Sequence, residues 1–168
     1  SNYLIGNQNP SEYLNDISKS GKDYAGFNLL VGNQDEIFYL NNYDNEVSSV
    51  NKGLHGLSNH HLDTPWPKVV KGKNGLKKIM DSKDGDVEDL FRLLRDNDTA
   101  ENKDLPDTGL SKEIEKNLSP LFINMDKYGT RCSTVVLIDH SDNVTFVERT
   151  YSNGKQTGEE KFEFKIEN

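Results

Sequence analysis

Short apolar runs, separated by polar and glycine-rich stretches, form the pattern of this chain. The predicted strands are residues 26–33, 36–42, 53–58, 133–139, 143–150 and 161–167. The first two, GFNLLVGN and EIFYLNN, are separated by a short polar turn, which predicts an antiparallel hairpin. The fourth and fifth predict a second hairpin, and the last alternates apolar and charged residues, so we expect it to be half exposed.

Four other segments show helical signals. The predicted helices are Pro10 to near Gly21, residues 65–80, residues 86–96 and Ser111 to Leu118. Asn9 and Pro10 are typical of a helix start, because Asn caps the first turn and Pro needs no hydrogen-bond donor there. Gly72 and Gly75 interrupt the second helical segment. Residues 97–109 are polar and predict a loop.

The strands are apolar on both faces, and this limits the fold. In the fourth strand Val135 and Leu137 point to one side, and Val136 and Ile138 point to the other. Antiparallel sheets usually leave one face to water, so these strands predict that both faces are covered. Two stacked sheets between outer helices would provide this cover, and so would one sheet between helices. We expect a single α/β domain over residues 1–168.

Composition narrows the possible functions. The net charge of −8 lacks the cationic surface that a nucleic-acid-binding protein needs. The single cysteine, Cys132, excludes an internal disulfide and favours a reducing compartment, so we expect a cytoplasmic protein. No apolar run approaches the length of a membrane span, and we expect neither a span nor a signal peptide.

Five stretches follow a recognisable order along the chain: YAGFNLLVGN (24–33), GLHGLSNHHLDTPWPKVVKGK (53–73), LPDTGLSKEIEKNLSPLFI (105–123), YGTRCSTVVLID (128–139) and VTFVERTY (144–151). They resemble the NRDE family, also called the Transport and Golgi organisation protein 2 family. The Asn-Arg-Asp-Glu motif that names the family, and the early cysteine before it, do not occur in the sequence. We therefore expect this chain to be the C-terminal portion of a longer family member.

The resemblance implies a fold and two functions. The fold is the four-layer α/β/β/α sandwich of antiparallel sheets of the N-terminal-nucleophile hydrolases, here incomplete at the N-terminus. The first implied function is hydrolysis of a non-peptide C–N (amide) bond, with the nucleophile outside this chain, so that the fragment itself is inactive. The second is binding or trafficking of haem or a similar hydrophobic anion, since eukaryotic members are linked to haem trafficking and to Golgi organisation. No resident cofactor is expected for the hydrolase.

Asn59 and Arg131 are the candidate catalytic residues. A side-chain amide at a strand end could donate to the oxyanion of an amide-cleavage intermediate, or Asn59 could only turn the chain. Arg131 could hold a substrate carboxylate, or it could pair structurally with Glu148 or Asp139. In the four-layer fold Asn59 and Arg131 are expected at one cleft rim. Cys132 could be a reactive thiol or a small buried strand residue.

His60 and His61 are candidate ligand-binding residues. Adjacent residues on a strand point to opposite faces, so the pair is poorly suited to chelate one metal ion. No paired ligand spacing is present either, so no metal site is predicted. One of them, or His55, could ligate haem iron, or each could simply hydrogen-bond within a loop.

Trp66 lies between Pro65 and Pro67, which fix its backbone as the next helix begins. It could form the wall of a ligand pocket, or fill the core. Asp63 or Thr64 would cap the helix. The lysines that follow could contact an anionic group such as a haem propionate or face solvent: Lys68, Lys71 and Lys73.

Overall fold

The computed structural model describes residues 3–82 and 84–167, and the chain divides into two compact units. Unit 1 is Ser1–Thr64 and unit 2 is Pro65–Asn168. Each unit contains one three-stranded antiparallel sheet. The fold is therefore mixed α/β with antiparallel sheets, as the sequence predicts.

Unit 1 packs one helix on one sheet. Its elements are α1 (Pro10–Ser18), a 3-10 turn (Gly21–Asp23), β1 (Asn28–Gly32), β2 (Ile37–Asn41) and β3 (Val47–Val50), with strand order β1-β2-β3. Asn9 caps α1, because its side-chain oxygen accepts the backbone N–H of Glu12 at 2.9 Å. Leu14 of α1 packs with Val31 and Leu40 of the sheet, and all three are buried.

The first hairpin forms where the sequence predicts it. Leu29 pairs with Leu40 across β1 and β2. Asn33 closes the turn, since its side-chain oxygen accepts the N–H groups of Asp35 at 2.9 Å and Glu36 at 3.0 Å. The position of the third strand was wrong: residues 53–58 form no strand, and Val47–Val50 pairs with β2 instead.

Unit 2 contains three helices and the second sheet. Its elements are α2 (Pro67–Asp81), α3 (Val87–Leu94), α4 (Lys112–Leu118), β4 (Cys132–Ile138), β5 (Asn143–Ser152) and β6 (Lys155–Lys165), with strand order β4-β5-β6. The second hairpin and the helix capped by Ser111 are confirmed. β6 begins six residues earlier than predicted, directly after a tight turn at Asn153 and Gly154.

One face of this sheet is covered by α3. Phe91 of α3 packs with Val135 of β4 and Val147 of β5, and all three are buried. On the opposite face Val136 and Phe162 are more than half exposed. Val144 lies on that same opposite face and is buried, so the cover that the apolar strands predict is observed under α3 and only in part on the other face of the described sheet.

The prediction that glycines break the helix after Pro65 was wrong. α2 continues from Pro67 to Asp81 through both Gly72 and Gly75. A Cβ atom at position 75 would collide with the side chain of Leu93 in α3, so glycine allows the two helices to approach closely. Across residues 3–82 and 84–167, no helix has the length and apolar character needed to cross a bilayer.

Candidate functional site

The segment Gly53–Thr64, here called the histidine loop, follows β3 and contains three of the four histidines of the chain. It has no helix or strand of its own. An irregular loop keeps a defined shape only if its backbone and side-chain polar groups find partners. Side-chain hydrogen bonds provide those partners here.

A hydrogen bond between the side chains of His55 and Asp63 closes the histidine loop. The Nδ1 atom of His55 lies 2.5 Å from a carboxylate oxygen of Asp63, and its Nε2 atom lies 2.9 Å from the backbone oxygen of Asn51. The other carboxylate oxygen of Asp63 accepts the N–H of Gly56 at 3.0 Å. Both ring nitrogens of His55 are thus in contact with oxygen atoms. His55 therefore fixes the loop and has neither ring nitrogen directed at a nucleophile.

The backbone of Asp63 has a positive φ of 61°, a conformation that only Gly, Asn and Asp adopt readily. Its own N–H donates to the backbone oxygen of Gly56 at 2.8 Å. Asp63 was predicted as a possible helix cap together with Thr64, and that prediction was wrong. The N-cap position of α2 is Trp66, and no side chain caps the helix there.

A second set of hydrogen bonds ties the histidine loop to the sheet of unit 1. The backbone N–H of Leu62 donates to the hydroxyl of Tyr39 at 3.2 Å. That hydroxyl in turn donates to the side-chain oxygen of Asn28 at 2.5 Å. Tyr39 is buried in β2, so the chain of bonds holds the end of the loop to the centre of the sheet.

His60 and His61 lie side by side. Their ring centroids are 4.4 Å apart and nearly perpendicular. The Nδ1 atom of His60 lies 2.9 Å from the hydroxyl of Thr64. The Nδ1 atom of His61 lies 3.1 Å from the side-chain nitrogen of Asn41 and 3.1 Å from a carboxylate oxygen of Asp44. Both histidines thus use Nδ1 for local hydrogen bonds.

Asn59 is exposed, in a bend just before the two histidines. It does not end a strand, because the strand predicted for residues 53–58 is absent. Its backbone is positioned instead by the bonds on both sides of it, those of His55 and those of His60. The structure places Asn59 in unit 1 and Arg131 in unit 2.

The candidate residues of α2 have different surroundings. Trp66 and Lys68 are half-buried. Desolvation lowers the pKa of Lys68, and the negative charge of Glu115 opposes this shift. The ammonium of Lys71 lies 2.5 Å from a carboxylate oxygen of Asp96 and 3.0 Å from one of Asp98.

Desolvation alone would lower the pKa of Lys71, but the hydrogen bonds that its ammonium donates to these two carboxylates outweigh it and raise the pKa. The charge of Lys71 therefore joins α2 to the segment after α3. An anionic ligand would have to compete with two carboxylates for this ammonium.

Arg131 directly precedes β4 and is exposed. Its backbone oxygen accepts the N–H of Tyr151 at 2.7 Å. Pairing with Glu148 or Asp139, the structural alternative for Arg131, is not observed among the described residues. Glu148 accepts from the Thr134 hydroxyl at 2.9 Å, and Asp139 closes the turn between β4 and β5.

Arg131 has no need of a carboxylate partner because its side chain is exposed to water. A guanidinium in water needs no buried partner, so the argument that an arginine entering an apolar strand must be paired does not apply to Arg131. Cys132 is also exposed, so its interpretation as a buried strand residue was wrong as well.

Comparison with known proteins now adds to this geometry. The family model described as Transport and Golgi organisation 2 matches residues 1–153. The chain belongs to the Transport and Golgi organisation 2 family. The matched region includes the histidine loop and Arg131, and it ends at the turn between β5 and β6.

Mammalian relatives agree with this membership. The chain is 28% identical to the Transport and Golgi organization 2 homolog of Mus musculus over 164 residues, which cover 89% of this chain and 59% of the relative. It is 30% identical to the homolog of Bos taurus over 166 residues, covering 88% and 59%. It is 29% identical to the homolog of Homo sapiens over 152 residues, covering 82% and 55%. The chain therefore spans less than two thirds of the length of these relatives.

One feature of this family member was not found from its sequence. The His55–Asp63 pair closes a loop of irregular backbone, and no periodic pattern marks such a pair. Its only sequence signal is an Asp followed by Thr-Pro at the end of a glycine-rich segment. Within the described residues, His, Cys, Asp and Glu side chains form no group of three or more that could hold a metal ion.

Proposed function

We propose that this chain is part of a hydrolase that cleaves a non-peptide amide C–N bond, with the nucleophile supplied from outside these 168 residues. The chain's resemblance to the N-terminal-nucleophile hydrolases supports this reaction class. The two antiparallel sheets and their helices are compatible with the four-layer sandwich of that fold, which we propose for the assembled protein. The observation that carries the proposal is the exposed Asn59 within a loop that hydrogen bonds fix on both sides.

The proposed role of Asn59 is to stabilise developing negative charge. When a nucleophile attacks an amide carbonyl, the carbonyl oxygen becomes an oxyanion, and a preorganised N–H donor lowers the energy of that state. The side-chain amide of Asn59 supplies two such N–H groups. The bonds of His55 and His60 support this role because they fix the loop on both sides of Asn59, and a donor on a fixed backbone needs less reorganisation during the reaction.

The test uses the protein expressed from its complete gene and measures amine or ammonia release from a panel of simple amides. We expect Asn59→Ala to lower kcat by roughly 10²- to 10³-fold with little change in KM, as for loss of one oxyanion donor. Asn59→Asp, which keeps the size of the side chain but removes its N–H donors, should lower kcat to the same extent. Asn102→Ala, at another exposed asparagine, is the matched control.

Three results would count against the proposal. One is the absence of turnover with every amide in the panel. Another is unchanged kcat in Asn59→Ala. The third is amide hydrolysis by residues 1–168 alone, because that would place the nucleophile inside this chain.

Binding of haem or a similar hydrophobic anion is the second candidate function. The adjacent rings of His60 and His61 favour it, since the Nδ1 contacts of the two rings hold each ring in one orientation, and axial ligation of haem iron would use Nε2. A Soret shift on adding haemin, lost in His60→Ala or His61→Ala but kept in His140→Ala, would support this function. A shift that survives all three substitutions would argue against it.

A further inference from the structure

A groove in unit 2 has no assigned role. It is lined by residues 124–131 and 151–154, has a volume of about 270 Å³, and is here called the cation groove. One wall is the turn at Met125–Tyr128, closed by a hydrogen bond from the N–H of Met125 to the backbone oxygen of Tyr128 at 2.9 Å. The other wall is the turn between β5 and β6.

Backbone hydrogen bonds close the first wall and join it to the second. The N–H of Thr130 donates to the oxygen of Ile123 at 2.8 Å, and the N–H of Tyr151 donates to the oxygen of Arg131 at 2.7 Å. Gly154 has a φ of 72°, and a Cβ atom there would lie 2.7 Å from the side-chain amide of Asn124. The glycine therefore lets this amide lie close against the opposite wall.

The groove contains two cations, Lys127 and Arg131, and one acid, Asp126. In the part of the chain that the structure describes, no carboxylate lies within ion-pair distance of either cation. This differs from Lys71 and Arg149, whose charges are each shared with two carboxylates. In a chain of net charge −8, two unneutralised cations in one groove form a local site for an anion.

Two tyrosines add to the site. Tyr151 lines the groove and is only 6% exposed, and its buried hydroxyl has no hydrogen-bond partner among the described residues. Tyr128 is 61% exposed and offers a ring face against which an apolar ligand group can pack.

We propose that the cation groove binds a small organic oxyanion, a carboxylate or phosphate monoester, attached to an aromatic or other apolar group. The guanidinium of Arg131 takes two oxygens of the anion in its planar fork, and Lys127 supplies a second positive charge. The apolar group packs on Tyr128. This inference deepens the proposed function by giving Arg131 a ligand class, and binding can be measured whether or not an amide is hydrolysed.

The test is a titration of the ¹⁵N-labelled full chain, followed by amide chemical shifts, with benzoate, phenyl phosphate and neutral benzamide. We expect saturable shifts at residues 124–131 and 151–154 with benzoate or phenyl phosphate, and none there with benzamide. The anion that binds more tightly shows whether the groove prefers a carboxylate or a phosphate monoester. Arg131→Gln should weaken binding roughly tenfold or more, because a charged hydrogen-bonding partner is lost.

Arg92→Gln is the matched control, since Arg92 is exposed on α3 and is paired with Asp89. It should bind the anions as the parent chain does. Unchanged shifts outside the groove in Arg131→Gln would show that the variant is folded. Equal binding by Arg131→Gln and the parent chain, equal shifts with benzamide, or shifts at surface lysines throughout the chain with none concentrated in the groove would each overturn the proposal.

Discussion

Arg149 shows how one residue joins three elements of unit 2. Its guanidinium lies 3.9 Å from the centre of the Phe91 ring. It also pairs with Glu88 of α3, and with Glu159 of β6 at 2.6 Å. The side chain is only 14% exposed, so these charges are partly protected from water. α3 is thereby fixed to the sheet by an ion-pair network as well as by its apolar face.

The network makes stability depend on pH. The hydrogen bond from Arg149 lowers the pKa of Glu88 below its ordinary value of 4.5. As pH falls below 4.5, the unfolded chain takes up a proton at this carboxyl before the folded chain does, so the free energy of unfolding decreases. We expect Glu88→Gln to be less stable at neutral pH and to lose stability less steeply between pH 4.5 and the lowered folded value.

Denaturant titrations at several pH values would measure this slope. Glu113→Gln, at an exposed position of α4, is the control and should keep the slope of the parent chain. The pKa of Asp139 is also lowered, mainly by a hydrogen bond from the side chain of Asn143. The free energy of unfolding should therefore still decrease at acid pH in every variant. Identical slopes for Glu88→Gln and the parent chain would contradict the role given to the network.

The sequence indicates the surroundings of Arg149 but not those of Arg131. Alternation along β5 places Glu148 and Arg149 on opposite faces of the sheet, and Arg149 is the one that lies against α3 and pairs there. The same alternation does not apply to Arg131, which lies one residue outside its strand. Whether a charged residue is paired depends on residues that are distant in the sequence and close in the fold. The local sequence does not contain that information.

Helices and hairpins with strong local signals were predictable. Asn9 and Ser111 cap helices where the sequence places them, since capping depends on residues within one turn. β3 was missed because its sequence, VSSV from Val47 to Val50, has little apolar character. Its strand conformation depends on pairing with β2, which is a tertiary interaction. Residues 53–58 are more apolar but are held as a loop by Asp63.

Gly72 and Gly75 of α2 offer a matched pair of substitutions. In a helix, replacing Gly with Ala stabilises by up to about 1 kcal/mol through backbone entropy. At position 72 the new Cβ meets the Leu121 side chain at an ordinary 3.4 Å, so we expect that gain. At position 75 it collides with Leu93, and forcing extra volume into packed helices costs about 1–3 kcal/mol.

We therefore expect Gly72→Ala to be more stable than Gly75→Ala by at least about 1 kcal/mol in urea unfolding. Adding Leu93→Ala should remove the collision, so the cost of the Gly75 substitution should be smaller in that background. If both alanines stabilise equally, the close approach of α2 and α3 at Gly75 is incorrect.

At the scale of the whole molecule, the family and the class of fold could be predicted, and the layering could not. Five motif stretches carry the family resemblance, and short apolar runs carry the antiparallel sheets. Apolar residues on both faces of β4 predict that both faces are buried, but the sequence does not show which helix or strand packs on each face. In unit 2, Val147 lies under α3 at 3% exposure, whereas Phe162 on the other face is 56% exposed.

The two faces of the second sheet should therefore respond differently to substitution. Val147→Ala removes two buried methyl groups beneath Phe91 and should destabilise the chain by about 2 kcal/mol. Phe162→Ser removes an exposed ring whose aromatic neighbour is Phe146, at 6.2 Å, and should cost less than about 1 kcal/mol. Phe162→Ser should also reduce binding of the fluorescent dye anilinonaphthalene sulfonate, which reports exposed apolar surface. Denaturant unfolding measures both stabilities, and a loss for Phe162→Ser as large as that for Val147→Ala would mean that this face is covered in the protein in solution.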